Sequence, residues 1–203
     1  MLVSVMYTLP HSTVSRQQRA FTLVELLVTI SVMAVMLMLA APSLSDFMRK
    51  QRILTTTDAI TSAIGQARTR ALASSSYITI APIGGDWKNG WQVFSEGQNP
   101  DGLYTAGTDT LINQYDPLPT GMSITYSSTA FVGGVGANSG NYLIYGPNGY
   151  TTSVMRQPQV LASFYVAYSQ GGGITRRVIV NPLGRARTCD PAADATCVAT
   201  ASQ

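Results

Sequence analysis

Phe21 to Ala41 reads FTLVELLVTISVMAVMLMLAA, an apolar run of 21 residues in which Glu25 is the single charge. At 1.5 Å per residue a helix of that length extends roughly 31 Å, which matches the ~30 Å hydrocarbon core of a bilayer. Pro42 follows directly; it removes one helical hydrogen bond and is expected to kink or locally open the helix rather than end it. Beyond it, apolar residues return at helical spacing (Leu44, Phe47 or Met48, Ile53, Ile60, Ile64, Ala67 and Ala71). One amphipathic stripe therefore continues to about Ser74 and is expected to pack on the domain that follows. After Ser76 the texture changes. The short runs YITIAPI, GWQVF, DTLINQY, SITYSS, NYLIYG, VLASFYVAYS and TRRVIVN alternate with Gly, Pro, Asn and Asp, the pattern of an antiparallel β domain. Asn99-Pro100-Asp101-Gly102 and Gly171-Gly172-Gly173 are turn signals, the second joining two strands as a hairpin.

The apolar run is too long for the core of an ordinary secretory signal, about 7 to 15 residues. A plain membrane anchor leaves Glu25 unexplained. An ionised side chain costs about 2.5 to 3.5 kcal/mol at the bilayer centre, less near the interface, and such a group usually marks a partner. Here the partner has to be cationic.

Composition narrows the chemistry. The chain of 203 residues carries a net charge of only +3, with 11% of residues charged, which argues against a strongly basic nucleic-acid coat and against disorder. Charge is local instead: Asp86 to Asp116 holds five acids against Lys88 alone, and Arg156 to Arg187 holds five arginines and no acid. The one histidine, His11, precedes the apolar run, so the rest of the chain has no imidazole for a nucleophilic pair, a zinc site or a proton shuttle. No enzyme activity and no cofactor are expected. The two cysteines, Cys189 and Cys197, fit one disulfide made in an oxidising compartment better than a metal cage.

RQQRA followed by FTLVELLVTISVMAVMLMLAAPSLSDF resembles the prepilin segment of type IV pilins and type II secretion pseudopilins. The resemblance implies a leader of residues 1–20, cut between Ala20 and Phe21 by a prepilin peptidase that also methylates the new N-terminus of Phe21. Ala20 departs from the glycine usual before the cut. Glu25 becomes the fifth mature residue, and its carboxylate is expected to pair with the Phe21 ammonium of a neighbouring subunit, the cation that desolvation requires. GDWKNGWQVFSEGQNPDG and RVIVNPLGRARTC extend the likeness to the FimT and GspH branch of minor pilins. The fold implied is α+β: a helix, residues 21–41 in the membrane and 42–76 as its amphipathic continuation, packed on an antiparallel two-sheet domain of residues 77–203. The partners implied are other pilins or pseudopilins, the inner membrane and the peptidase, with the C-terminal domain in the periplasm.

Gly184-Arg185-Ala186-Arg187 follows a strand and an Asn181-Pro182-Leu183-Gly184 turn. If the segment is extended, its two arginines share a face roughly 6.6 to 6.8 Å apart and can engage successive phosphates. Arg176 or Arg177 could enlarge the patch. Similar Gly-Arg-x-Arg segments in FimT-type pilins that act in DNA uptake imply sequence-independent DNA capture by Arg185 and Arg187; a solvated turn or a contact to a neighbouring pilin is the alternative. Arg49, Lys50, Arg52, Arg68 and Arg70 read as a solvated face. Asn99 to Asp109 lacks calcium-loop spacing, Gly133-Gly134-Val135-Gly136 is no dinucleotide fingerprint, and Trp87 and Trp91 read as core. The function expected is a minor subunit that helps initiate a type IV pilus and binds DNA, or else an H-type pseudopilin of a secretion system.

Overall fold

The computed structural model describes residues 21–128, 140–157, 160–168 and 174–198, without the side chains of 39–43. Ala20 and its leader, Gly133 to Gly136 and the Gly171–Gly173 turn lie outside the described residues. The helix α1 runs Leu23–Ser74, ending where the apolar stripe runs out. Thr22 begins it, its Oγ1 accepting the Glu25 N–H at 3.2 Å, one half of a capping box. The helix continues through Pro42, as a proline that costs one hydrogen bond allows.

The chain forms two compact units, one ending at Ser45 and one starting at Asp46. In the first, the large apolar side chains from Phe21 to Met38 are all at least 50% exposed. Among the described residues no helix is long and apolar enough to cross a membrane; the expected span, 21–41, ends in side chains that are not described.

The second unit carries two antiparallel sheets. One is built from β1 (Tyr77–Pro82), β2 (Trp91–Gly97), β3 (Thr110–Gln114), β5 (Leu143–Tyr145) and β6 (Thr151–Thr152) in the order β3-β2-β1-β5-β6. The other joins β4 (Met122–Ser128), β7 (Ala162–Tyr168), β8 (Arg176–Val180) and β9 (Ala186–Cys189) in the order β4-β7-β8-β9. The seven runs read from the sequence are all strands. β6 and β9 are additional.

Ile53, Ile60, Ala63, Ile64, Ala67 and Ala71 of α1 form one core with Ile78, Ile80, Val93 and Leu143 of the first sheet and Phe164, Val166, Val178 and Val180 of the second. Leu44, Phe47 and Met48, expected to join the stripe, are 61%, 55% and 47% exposed, because helix burial begins at Ile53. The pleat of β1 and β2 sends alternate side chains the other way, so Ala81 and Phe94 meet Tyr142 and Ile144 in a second cluster. The tryptophans are core residues. Trp87 meets Phe164 edge-on at 5.0 Å between ring centroids, and Trp91 stacks on Tyr115 at 4.8 Å.

Candidate functional site

The turn between β8 and β9 is built by its own residues. The Gly184 N–H donates to the Asn181 carbonyl at 2.8 Å and the Asn181 N–H to the Arg185 carbonyl at 3.0 Å, while the Asn181 side chain accepts the Arg185 N–H at 2.9 Å. Gly184 has φ +77°, and a Cβ there would fall 2.3 Å from the Gly149 carbonyl oxygen and 2.7 Å from the Tyr145 ring. Only glycine fits such a close approach at positive φ. Tyr145 Oη donates to the Gly184 carbonyl at 3.1 Å, locking the turn onto the first sheet.

Strand register distributes the arginines. Ile179 faces Arg187 and Arg177 faces Cys189, so Arg177, Arg187 and Cys189 share one face of the second sheet. Thr188 points the other way, its Oγ1 3.4 Å from Thr61 Oγ1 on α1. Arg187 lies in the extended strand β9, but it is engaged: Nη1 is 3.5 Å from Asp194 Oδ2, and Nη2 donates to the Thr196 carbonyl at 2.9 Å. Arg176 pairs with Asp190 at 2.5 Å on the helix-facing side. Arg177 sits 5.0 Å over the Tyr165 ring and donates to Ser163 Oγ at 3.3 Å. Arg185, one residue before the strand, is exposed. Arg185 thus stands exposed at the turn end of the hairpin, two residues from Arg187, whose guanidinium is held by the disulfide loop, and Arg176 lies on the opposite face of β8 from Arg177.

Cys189 and Cys197 form the disulfide, closing the loop that presents Asp194 and Thr196 to Arg187. Hydrogen bonds from the Thr196 hydroxyl and N–H, with the Arg187 charge nearby, hold the Asp194 carboxyl below its ordinary range. A second carboxylate organises the β2–β3 turn. Glu96 Oε2 takes the N–H groups of Asp101 and Gly102, the latter at 2.9 Å, and its Oε1 meets the Thr79 hydroxyl. Burial pushes the Glu96 carboxyl up to about 7, against these hydrogen bonds, which favour the charged form. The Asn99 to Asp109 region is therefore a hairpin turn; among the described residues no group of three or more side chains could hold a metal ion.

Arg68, which the sequence places on a solvated face, is half-buried and bonded to the following domain. Its Nε donates to the Gly149 carbonyl at 3.2 Å and lies 3.4 Å from the position a Gly184 Cβ would take, which puts a helix arginine beside the turn that carries Arg185. No spacing in the sequence links residues 68 and 185. At the other end of α1, Glu25 is exposed among the bare apolar side chains of Phe21 to Met38.

Residues 56–184 match the family described as Type II transport protein GspH, and residues 15–41 match the prokaryotic N-terminal methylation motif. The fold is similar to that of the type IV minor pilin FimU of Pseudomonas aeruginosa, with a TM-score of 0.50 at 15% identity over 70% of this chain and 90% of that one. It is also similar to the minor pseudopilin EpsH from the Type 2 Secretion System of Vibrio cholerae, with a TM-score of 0.46 at 14% identity over 69% and 98%. No curated relative matches by sequence.

Proposed function

The chain belongs to the GspH family, and from that premise we propose that it is a minor subunit of a type IV pilus, held in the inner membrane by the apolar half of α1 and assembled through the same helix. The observation that carries this reading is the bare apolar surface from Phe21 to Met38, in which Glu25 is the single charge and which lies within a methylation motif. Such a surface has to be covered by lipid or by other subunits. A prepilin peptidase cuts between Ala20 and Phe21 and methylates Phe21. The Glu25 carboxylate then pairs with a neighbour's Phe21 ammonium, and Pro42 marks the point where the helix leaves the membrane. The role is structural rather than enzymatic.

Co-expression with a prepilin peptidase, followed by N-terminal mass spectrometry, tests the reading. A methylated Phe21 is expected; an intact leader, or a cut after Ala41, overturns it. Glu25→Ala is expected to insert normally and to enter fibres poorly. Normal assembly of this variant would remove the pairing role.

The second part of the proposal is DNA capture, favoured by the exposed Arg185 beside Arg187 on a rigid turn. Two to four phosphate contacts give a slope of log affinity against log salt of about −2 to −4, so binding is weak and fades at moderate salt. Arg185→Ala with Arg187→Ala is expected to abolish the gel shift of DNA, and Arg185→Ala alone, which removes an exposed arginine, is expected to weaken it while leaving the thermal melt nearly unchanged. Undiminished binding in the double variant would defeat DNA capture and favour the H-type secretion pseudopilin, which shares the same N-terminal chemistry.

A further inference from the structure

Two turns touch beside Arg185. The β5–β6 turn closes through Gly149 N–H to the Gly146 carbonyl at 2.8 Å and Gly146 N–H to the Tyr150 carbonyl at 2.9 Å. Its Gly149 backbone lies against Gly184, and the Thr151 N–H donates to the Pro182 carbonyl at 3.4 Å. Tyr150 and Arg185 each sit one residue from the touching glycines. With ~3.8 Å between successive Cα atoms, they can reach neighbouring nucleotides of one strand. Arg68 is held at the same junction by its bond to Gly149.

Tyr150 is 42% exposed, and a half-open cleft of about 110 Å³ lies against it, lined by Tyr77, Pro147, Asn148 and Arg156. A water needs ~10–15 Å³ on this measure, so the cleft accepts a group of several heavy atoms. Its wall is fixed. Arg156 Nη2 donates to the Gln98 carbonyl at 2.7 Å and to Asn99 Oδ1 at 2.5 Å, and the guanidinium lies 5.9 Å from the Tyr77 ring centroid. An open aromatic ring with amide and guanidinium groups, next to the turn junction that carries Arg68 and Arg185, makes a surface for a planar, hydrogen-bonding ring that hangs from a phosphate chain.

We propose that this cleft takes one unpaired base of single-stranded DNA, stacked on Tyr150, while Arg185 and Arg68 hold the adjoining phosphates. The inference rests on the DNA reading above and goes beyond it. In a duplex the base faces are already covered, and filling the cleft requires flipping a nucleotide out of the stack. The site therefore prefers single strands.

The test uses the full chain in detergent micelles and fluorescence anisotropy with three labelled probes of equal length: a single-stranded oligonucleotide, its duplex, and an abasic strand. The single strand is expected to bind more tightly than either of the others at the same salt. Tyr150→Ala should lower single-strand affinity about tenfold, as loss of one stacked base does, and leave the duplex and the abasic strand within twofold. Tyr150→Trp should restore it. The inference is overturned if Tyr150→Ala leaves single-strand binding unchanged or weakens all three probes alike. If Arg185→Ala still weakens duplex binding in that case, DNA capture survives and only the base site falls. A parent chain that binds none of the probes sinks both.

Discussion

Arg187 and Asp194 face each other at 3.5 Å across the loop that the Cys189–Cys197 disulfide closes. The cation best placed on β9 to meet a phosphate is thus partly answered from within the chain. A solvent-exposed pair of this kind is weak and is screened by salt, so a phosphate can displace it. Asp194→Asn is expected to tighten duplex DNA binding about two- to fivefold at low salt. Anisotropy titrations check this, and an unchanged affinity would mean that Arg187 does not touch the phosphates.

The disulfide itself stabilises a small ring. Cys189 and Cys197 are separated by 8 positions, for which the loop-entropy relation gives roughly 2.5 kcal/mol. Cys189→Ser with Cys197→Ser should lower the denaturant midpoint by a corresponding amount without changing the secondary structure seen by circular dichroism. Thiol titration of the protein prepared without reductant should find no free thiols.

Glu96 makes stability depend on pH in the less usual direction for a carboxylate. Its carboxyl is raised from 4.5 to about 7 in the fold, so the folded chain keeps a proton that the unfolded chain releases. The stability this contributes is complete below about 4.5 and is lost as pH rises to about 7. With solvent screening, the decline is on the order of 1–2 kcal/mol. Glu96→Gln keeps an acceptor for Gly102 and does not titrate, so melting temperatures measured across this window should lose most of their slope. A parent whose stability rises through the window would contradict the assignment.

Gly184→Ala carries two costs at once, a left-handed backbone at φ +77° and a methyl 2.3 Å from the Gly149 oxygen. The first alone is about 1–2 kcal/mol, and the clash makes a total of roughly 3 kcal/mol reasonable. Chemical denaturation measures it. Because the same change moves the turn that carries Arg185, DNA binding should fall as well, in contrast to Asp194→Asn.

The long periodic elements were legible in the sequence. Ile53, Ile60, Ile64, Ala67 and Ala71 mark the buried face of α1 by spacing alone, and the seven apolar runs after Ser76 all become strands. β6 is two residues long and β9 reads ARTC, so neither has enough alternating apolar positions to register as a strand. The arginine patch was legible only as a segment. Its neighbours Arg68 and Tyr150 arrive from α1 and from the β5–β6 turn through backbone contacts of Gly149 and Gly184, and tertiary proximity of that kind leaves no periodicity to find. The engagement of Arg187 was equally invisible, since it depends on how the disulfide loop folds back on β9.

The position of β9 at the edge of its sheet bears on how copies behave when crowded. An exposed edge is a template on which a second sheet can grow. This one offers only four residues of ladder, Ala186–Cys189, and ends in a cross-linked loop with Arg187 bound to it. Copies that meet along β9 thus find little backbone to extend, and pairing of sheets through this edge is discouraged.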